Sequence, residues 1–275
     1  MNKFACVSVS KDFGTMEVNE DAALAKANII AVSDGAGGGG VFAERWSRYL
    51  LDNLPETPIA SFIMLDEWID GIWESFYKEC EEKARQQGGM FLDKFYDEGS
   101  FATLAAVWRV SDVECRWMSY GDSVVFNYDT ETGILQHSFA QLADFNNPPY
   151  LISSKDPLDN KGFRCGSFHT SPSSIVFAAS DALSHAILAL YKVDKQIAGC
   201  KDYDEELATA ANLHTRNSMY IKSVLALHPV NFHKKIIDLT SACTDENQFK
   251  NIIKQMKADV IIATDDYSLA MMTGS

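Results

Sequence analysis

Apolar and polar positions change over in short runs at residues 4–10, 22–27 and 28–33, which predicts three strands before residue 34. The period then lengthens, and helices are predicted over 41–53 and 62–86. Within the second, Leu65, Ile69, Ile72, Phe76 and Cys80 recur at steps of three and four. Such a stripe is either one core-facing side of a helix or a partner-binding surface, and core packing is the favoured reading. Strand-like runs follow at 101–110, 114–120, 124–128 and 134–139, with Asp129-Thr130-Glu131-Thr132-Gly133 reading as a hairpin turn. Further apolar runs of strand composition lie at 175–180 and 260–263, and helical patterns at 182–191, 204–213 and 245–256. Residues 143–160, with Asn146-Asn147-Pro148-Pro149 and Asp156-Pro157, read as an irregular loop. By themselves these elements predict a mixed α and β fold.

With 275 residues and 47 % hydrophobic content, the chain can bury a large core as one domain spanning 1–275. Its formal charge of −14 opposes sequence-independent attraction to nucleic acid, which is expected not to be a partner. No apolar stretch approaches the roughly 18–20 residues needed to cross a bilayer. The first residues lack a basic start followed by an apolar secretory core, so a cytoplasmic protein with no membrane partner, a monomer, is expected. Cys6, Cys80, Cys115, Cys165, Cys200 and Cys243 are scattered without zinc or redox spacing, and none has arginine six positions later, which sets aside a cysteine-dependent phosphatase. The six histidines, at 137, 169, 185, 214, 228 and 233, form no metal-spaced pair.

Four acidic signatures change the picture: Asn19-Glu20-Asp21, Asp34-Gly35-Ala36-Gly37-Gly38, Ser180-Asp181-Ala182-Leu183 and Asp265-Asp266-Tyr267-Ser268. Three of them adjoin an apolar run, at 29–33, 175–180 and 260–263, which places aspartates at strand ends. Hard divalent cations take oxygen ligands, and short carboxylates on rigid strand ends are already oriented for them. Two such ions roughly 3.5–4 Å apart clamp a phosphoryl group and acidify water, so the expected chemistry is phosphate-ester hydrolysis. The glycines after Asp34 leave the backbone free to approach a metal. A nucleotide-binding loop is the rival, but Val41-Phe42-Ala43 stands where Gly-Lys-Ser or Gly-Lys-Thr belongs. Each aspartate also has a plain reading: Asp34 a turn residue, Asp181 a helix cap, Asp122 a hairpin residue.

In order and wording these motifs resemble the metal-dependent type 2C serine/threonine protein phosphatases. Gly99-Ser100-Phe101-Ala102-Thr103-Leu104 and Gly121-Asp122-Ser123 extend the resemblance, which runs from about Cys6 to Met271. It implies an α+β fold, a four-layer α-β-β-α sandwich with two central, mainly antiparallel sheets, and a variable flap-like segment near 143–170. It implies a centre of two Mn²⁺ or Mg²⁺ ions held by Asp21, Asp34, the Gly35 carbonyl, Asp181 and Asp265, with Asp34 orienting the attacking water. Asp122 stands at the position of a third ion's ligand, and Glu20 beside the first ion's waters. Asp266 is a neighbour of the ligand Asp265. The implied reaction is attack of a metal-bridging hydroxide on phosphoserine or phosphothreonine in a protein substrate.

Three positions depart from the family pattern. Met16 stands where the family usually has an arginine that grips the substrate phosphate, a role a thioether cannot perform. Lys11 is a candidate substitute. Ala36 replaces a histidine proposed as general acid, and Val124 replaces an arginine of structural role. The substitutions leave two further readings beside the active phosphatase: a degenerate phosphatase fold that binds metal or phosphopeptide with little turnover, and a phosphatase for small metabolites.

Overall fold

The computed structural model describes residues 3–14, 17–38, 40–227 and 229–273. Met16 and His228 therefore lie outside the described residues. The strands are β1 (Phe4–Val9), β2 (Ala22–Lys26), β3 (Ile29–Ser33), β4 (Phe101–Ala102), β5 (Leu104–Ser111), β6 (Glu114–Tyr120), β7 (Val124–Asp129), β8 (Ile134–His137), β9 (Ile152–Ser153), β10 (Phe163–His169), β11 (Ser174–Ala179) and β12 (Tyr267–Thr273). The helices are α1 (Ala43–Asp52), α2 (Phe62–Gln87), α3 (Gly89–Glu98), α4 (Asp181–Ile197), α5 (Asp204–Ala211), α6 (Arg216–Ala226), α7 (Phe232–Ser241) and α8 (Glu246–Ala258).

Two five-stranded antiparallel sheets form the centre, in the orders β1-β12-β11-β7-β8 and β10-β6-β5-β3-β2. Strand periodicity divides their side chains between two apolar layers. Ile30 and Val32 of β3, Ala105 and Val107 of β5, Val176 and Ala178 of β11 and Met272 of β12 fill the space between the sheets. Their sequence neighbours Ala31, Ala106, Phe177 and Met271 face outward, beneath helices. The first three helices cover one sheet and the last five the other, giving the four layers. Leu65, Ile69, Phe76 and Cys80 of α2 are buried in this packing, which accounts for the stripe as core.

Several elements differ from expectation. Residues 260–263 form no strand: they close α8. Val260 takes a positive φ of 56°, and the amides of Ile261 and Val260 bond back to the carbonyls of Met256 and Lys257. That is a Schellman closure whose apolar partner is Ile261, fully buried. Asp265 thus leads into β12 instead of following a strand. Gly121-Asp122-Ser123 is not a hairpin, because β6 and β7 belong to different sheets. It is a three-residue crossover over the end of the sandwich. Gly121 adopts φ 93° there, and a Cβ would stand 2.7 Å from the Tyr150 carbonyl oxygen. The irregular loop expected over 143–160 is present, interrupted only by short turns and the two-residue β9, and β10 follows it, paired with β6 along all seven residues. The start of the loop is pinned from below. Lys192 of α4, 2 % exposed, pairs with Glu206 of α5, and Glu206 also accepts the amide of Leu142 at 2.7 Å.

Candidate metal centre

Strand register brings the acidic signatures to one end of the sandwich. Ala22, just after Asp21, pairs with Ser33, just before Asp34. In the other sheet Ala179, which ends β11 before Asp181, pairs both with Val124 after the Asp122 crossover and with Leu269 near the start of β12. Antiparallel pairing therefore puts Asp21, Asp34, Asp122, Asp181 and Asp265 on a common rim.

Local hydrogen bonds fix each of them. The Asp34 amide donates to Thr103 Oγ1 at 3.2 Å, its carbonyl accepts the Thr103 amide at 2.8 Å, and Thr103 Oγ1 meets Ser123 Oγ at 2.6 Å. This buried threonine joins the Asp34 turn to the Asp122 crossover. Ser180 caps α4 from an extended conformation, Asp181 is the first helical residue, and its carboxylate accepts the Ala182 amide. The positive end of α4 favours a charge at that point. The cap position expected of Asp181 belongs to Ser180, and Asp181 opens the helix itself. Ser180 and Ser268 exchange bonds, Ser180 N to Ser268 O at 3.1 Å and Ser268 N to Ser180 Oγ at 3.0 Å, tying the Asp181 and Asp265 segments together.

Glu20 and Asp21 are held against α1 and β12. Ser47 Oγ donates to the Glu20 carbonyl at 2.5 Å, and Arg48 donates to the Asn19 carbonyl at 2.9 Å. Asp266 is engaged through both carboxylate oxygens: its Oδ1 accepts the Lys11 amide at 2.8 Å and its Oδ2 the Glu20 amide at 2.7 Å. Both oxygens are thereby used in bracing. Asp265 is left to face the rim. Gly35 is required by this packing, since a Cβ there would lie 2.5 Å from the Glu20 carbonyl oxygen, whereas one on Gly37 would meet the movable Glu20 carboxylate, 1.9 Å from Oε1.

The carboxylates feel one another. Burial, then the charges of Asp21, Asp181, Asp122 and Asp265, hold the Asp34 carboxyl well above the usual range. Burial, with Asp122, Asp265 and Asp21, does the same to Asp181. Burial pushes Asp21 up to about 7 and Asp122 up to about 6, and raises Asp265 and Glu20. Asp21 is 2 % exposed and its Oδ2 has no hydrogen-bond partner. An orphaned buried carboxylate oxygen among mutually repelling acids is the arrangement a divalent cation relieves. The donor set, all oxygen, suits Mn²⁺ or Mg²⁺. Among the described residues, no three Asp, Glu, His or Cys side chains are gathered tightly enough to hold an ion by themselves. An ion at this rim would need waters among its ligands, as Mg²⁺ sites commonly have.

Of the residues named from sequence, Lys11 is already engaged, its Nζ 2.7 Å from Glu17. Ala36 donates its amide to the Phe101 carbonyl and presents only a methyl group. The bracing roles of Thr103, Ser123 and Asp266 were not foreseen, although each lies inside a quoted motif.

The structure is similar to serine/threonine phosphatase Stp1 from Staphylococcus aureus, with TM-score 0.53 and 11 % identity over 99 % of this chain and 95 % of that one. It is similar as well to the Mycobacterium tuberculosis phosphatase PstP/Ppp, with TM-score 0.54 and 14 % identity over 99 % and 98 % of the two chains. The chain has the type 2C phosphatase fold. A third similar structure, at TM-score 0.53, 14 % identity and 99 % and 97 % coverage, is the PstP catalytic domain in complex with two manganese ions. No family model and no curated protein matches the chain in sequence. The type 2C likeness therefore rests on architecture, with the carboxylate rim at the end of its two sheets.

Proposed function

We propose that this chain is a metal-dependent phosphatase that hydrolyses phosphoserine and phosphothreonine in proteins, a monomeric enzyme of the cytoplasm. The observation that carries the reading is the rim itself: five aspartates from five separate segments converge on it, one with a buried, unpartnered oxygen. Asp21, Asp34, Asp181, Asp265 and the Gly35 carbonyl would hold two ions, with Asp122 at a third and Glu20 bonding to their waters. The ions, when bound, supply Lewis acidity, lowering the pKa of water and neutralising charge on the phosphoryl oxygens. Asp34 accepts a hydrogen bond from the attacking water and orients it. The Thr103 and Ser123 hydroxyls keep the Asp34 and Asp122 segments in register, so little reorganisation accompanies attack. Ala36 holds no proton for the leaving alkoxide, which takes it from water. All six cysteines are free thiols, and no helix among the described residues is long and apolar enough to cross a membrane.

The test is hydrolysis of a phosphothreonine peptide with manganese, with chelator, and by Asp34→Asn. Activity that requires both metal and Asp34 supports the proposal. Complete inactivity toward any phosphoester with manganese present overturns it. A degenerate module that binds without turnover is the second reading, favoured by Met16 and Ala36, and metal binding without hydrolysis would select it.

A further inference from the structure

A cationic side chain beside the ions would add a second hold on the substrate phosphate, and the methionine at position 16 carries no charge to supply it. Among the described residues, three cations stand on segments next to the rim: Lys11, whose amide Asp266 accepts, Arg164 of β10, paired with the end of β6 before the Asp122 crossover, and Arg216 at the start of α6, which packs on α4 one turn beyond Asp181. Their commitments differ. Lys11 is paired with Glu17. Arg164 lies over the Phe139 ring, 5.2 Å from its centroid, and its Nη1, although without a hydrogen-bond partner, is buried away from solvent and so from an incoming substrate. Arg216 is exposed, and forms no ion pair with any of the described residues.

A closed circuit of contacts sets Arg216 in place. It is the first residue of α6, behind the Thr215 cap, and its Nε donates to Tyr220 Oη at 3.2 Å one turn later. The Tyr220 ring packs on His185 with centroids 6.4 Å apart, and His185 packs edge-on against Phe145 at 5.3 Å. Asn217, beside Arg216, closes the circuit by donating to the Phe145 carbonyl at 2.9 Å. His185 lies one turn beyond Asp181 on the same side of α4. The N-terminus of α6 is thus fastened beside the rim, against the start of the irregular 143–160 stretch. Because Nε is the atom tied back, the two terminal nitrogens have no hydrogen-bond partner among the described residues, and these are the atoms that bind phosphate in a fork.

We propose that Arg216 is the phosphate-gripping residue of this site, in place of the arginine missing at Met16. The inference rests on the phosphatase reading for its substrate. A planar guanidinium held by Tyr220 binds two phosphoryl oxygens at once, which an ammonium cannot do.

The experiment is calorimetric titration of inorganic phosphate into the manganese-loaded protein, beside KM and kcat for a phosphothreonine peptide. Arg216→Ala is expected to weaken phosphate binding by about 10- to 100-fold and to raise KM. Arg216→Lys is expected to recover only part of the loss, and Met16→Arg added to Arg216→Ala to restore binding. Tyr220→Phe, which keeps the ring packing, should raise KM by a smaller factor. Phosphate binding by Arg216→Ala equal to that of the unmodified, hydrolytically active protein overturns the inference and leaves the phosphatase reading intact. Weakened phosphate binding in a protein that never hydrolyses supports the inference while overturning that reading. Absence of phosphate binding by the unmodified protein overturns the inference, while the peptide hydrolysis measured beside it decides the phosphatase reading.

Discussion

Asp266 Oδ2 accepts the backbone amide of Glu20 at 2.7 Å across 246 residues of sequence, while its Oδ1 accepts that of Lys11. Asp266 is 4 % exposed, so its charge is offset by these two donors instead of by water. The adjacent Asp265 has a different task, and the two aspartates are expected to respond oppositely to the same substitution. Asp266→Asn puts an amide group against an N–H, leaves one donor unpaired and should cost about 1–3 kcal/mol of stability. Asp265→Asn removes a repelling charge, so the metal-free protein should be no less stable, yet its stabilisation by manganese should disappear. Thermal unfolding of both variants in chelator and in manganese checks the assignment. Equal destabilisation of the metal-free protein by both would reverse it.

Metal removal should expose the strain among the carboxylates. Manganese at a hundred times its Kd is expected to stabilise the fold by about 2.7 kcal/mol, and Asp34→Asn should raise the unfolding temperature in chelator. The pH trend reverses with the metal. Asp21 at about 7 and Asp122 at about 6 lie above the 3.8 of an unperturbed aspartate. The folded metal-free protein therefore binds more protons than the unfolded chain in that window, and its stability contribution from these groups falls as pH rises from about 4 to about 7. Cation binding requires the deprotonated acids, so manganese stabilisation should grow over the same range. Denaturant titrations at pH 5, 6 and 7, with and without manganese, measure both slopes.

His185 carries a separate acid sensitivity. It is 4 % exposed, its Nε2 has no partner, and burial lowers its pKa from 6.5 to about 4. Between those values the unfolded chain takes a proton that the folded protein refuses, so stability falls as pH drops from about 6.5 and the loss saturates below about 4. The gap corresponds to roughly 3 kcal/mol. His185→Phe, which keeps a ring against Phe145 and Tyr220, should flatten this part of the profile. An unchanged acid limb would assign the sensitivity elsewhere.

Sequence periodicity was most informative where one physical signal dominated. The apolar run at Ile29–Ser33 and the motif spacing around Asp34 and Asp181 led directly to the sheet ends and the rim. It failed where two signals coincide. The apolar run at 260–263 has strand composition, yet Ile261 is apolar because it seals the end of α8, a role a strand template cannot distinguish. The Gly121-Asp122-Ser123 turn looks like a hairpin because three residues suit one, and only the sheet orders reveal the passage between sheets. α6 and α7 do carry helical spacing, at Tyr220, Ile221 and Val224 and at Phe232, Ile236 and Leu239, but polar and capping residues between them obscured it. Bracing by Asp266 was illegible for a stronger reason: its partners Lys11 and Glu20 become neighbours only after β1 pairs with β12.

The glycines after Asp34 give the last prediction, because the atoms in their way differ. A Cβ on Gly35 meets backbone: the Glu20 carbonyl oxygen at 2.5 Å and the Ala43 carbonyl oxygen at 2.8 Å. Neither can rotate aside, since Ser47 holds the first and the start of α1 the second. Gly35→Ala should therefore push the Asp34 turn away from Asp21, costing about 1–3 kcal/mol as overpacking does and abolishing manganese stabilisation. A Cβ on Gly37 meets only the Glu20 carboxylate. That side chain can swing out, so Gly37→Ala should fold with nearly unchanged stability while weakening manganese binding severalfold through the displaced Glu20. Unfolding in chelator separates the two variants, and manganese titration measures the second effect. If Gly37→Ala bound manganese as the unmodified protein does, Glu20 would have no part in the centre.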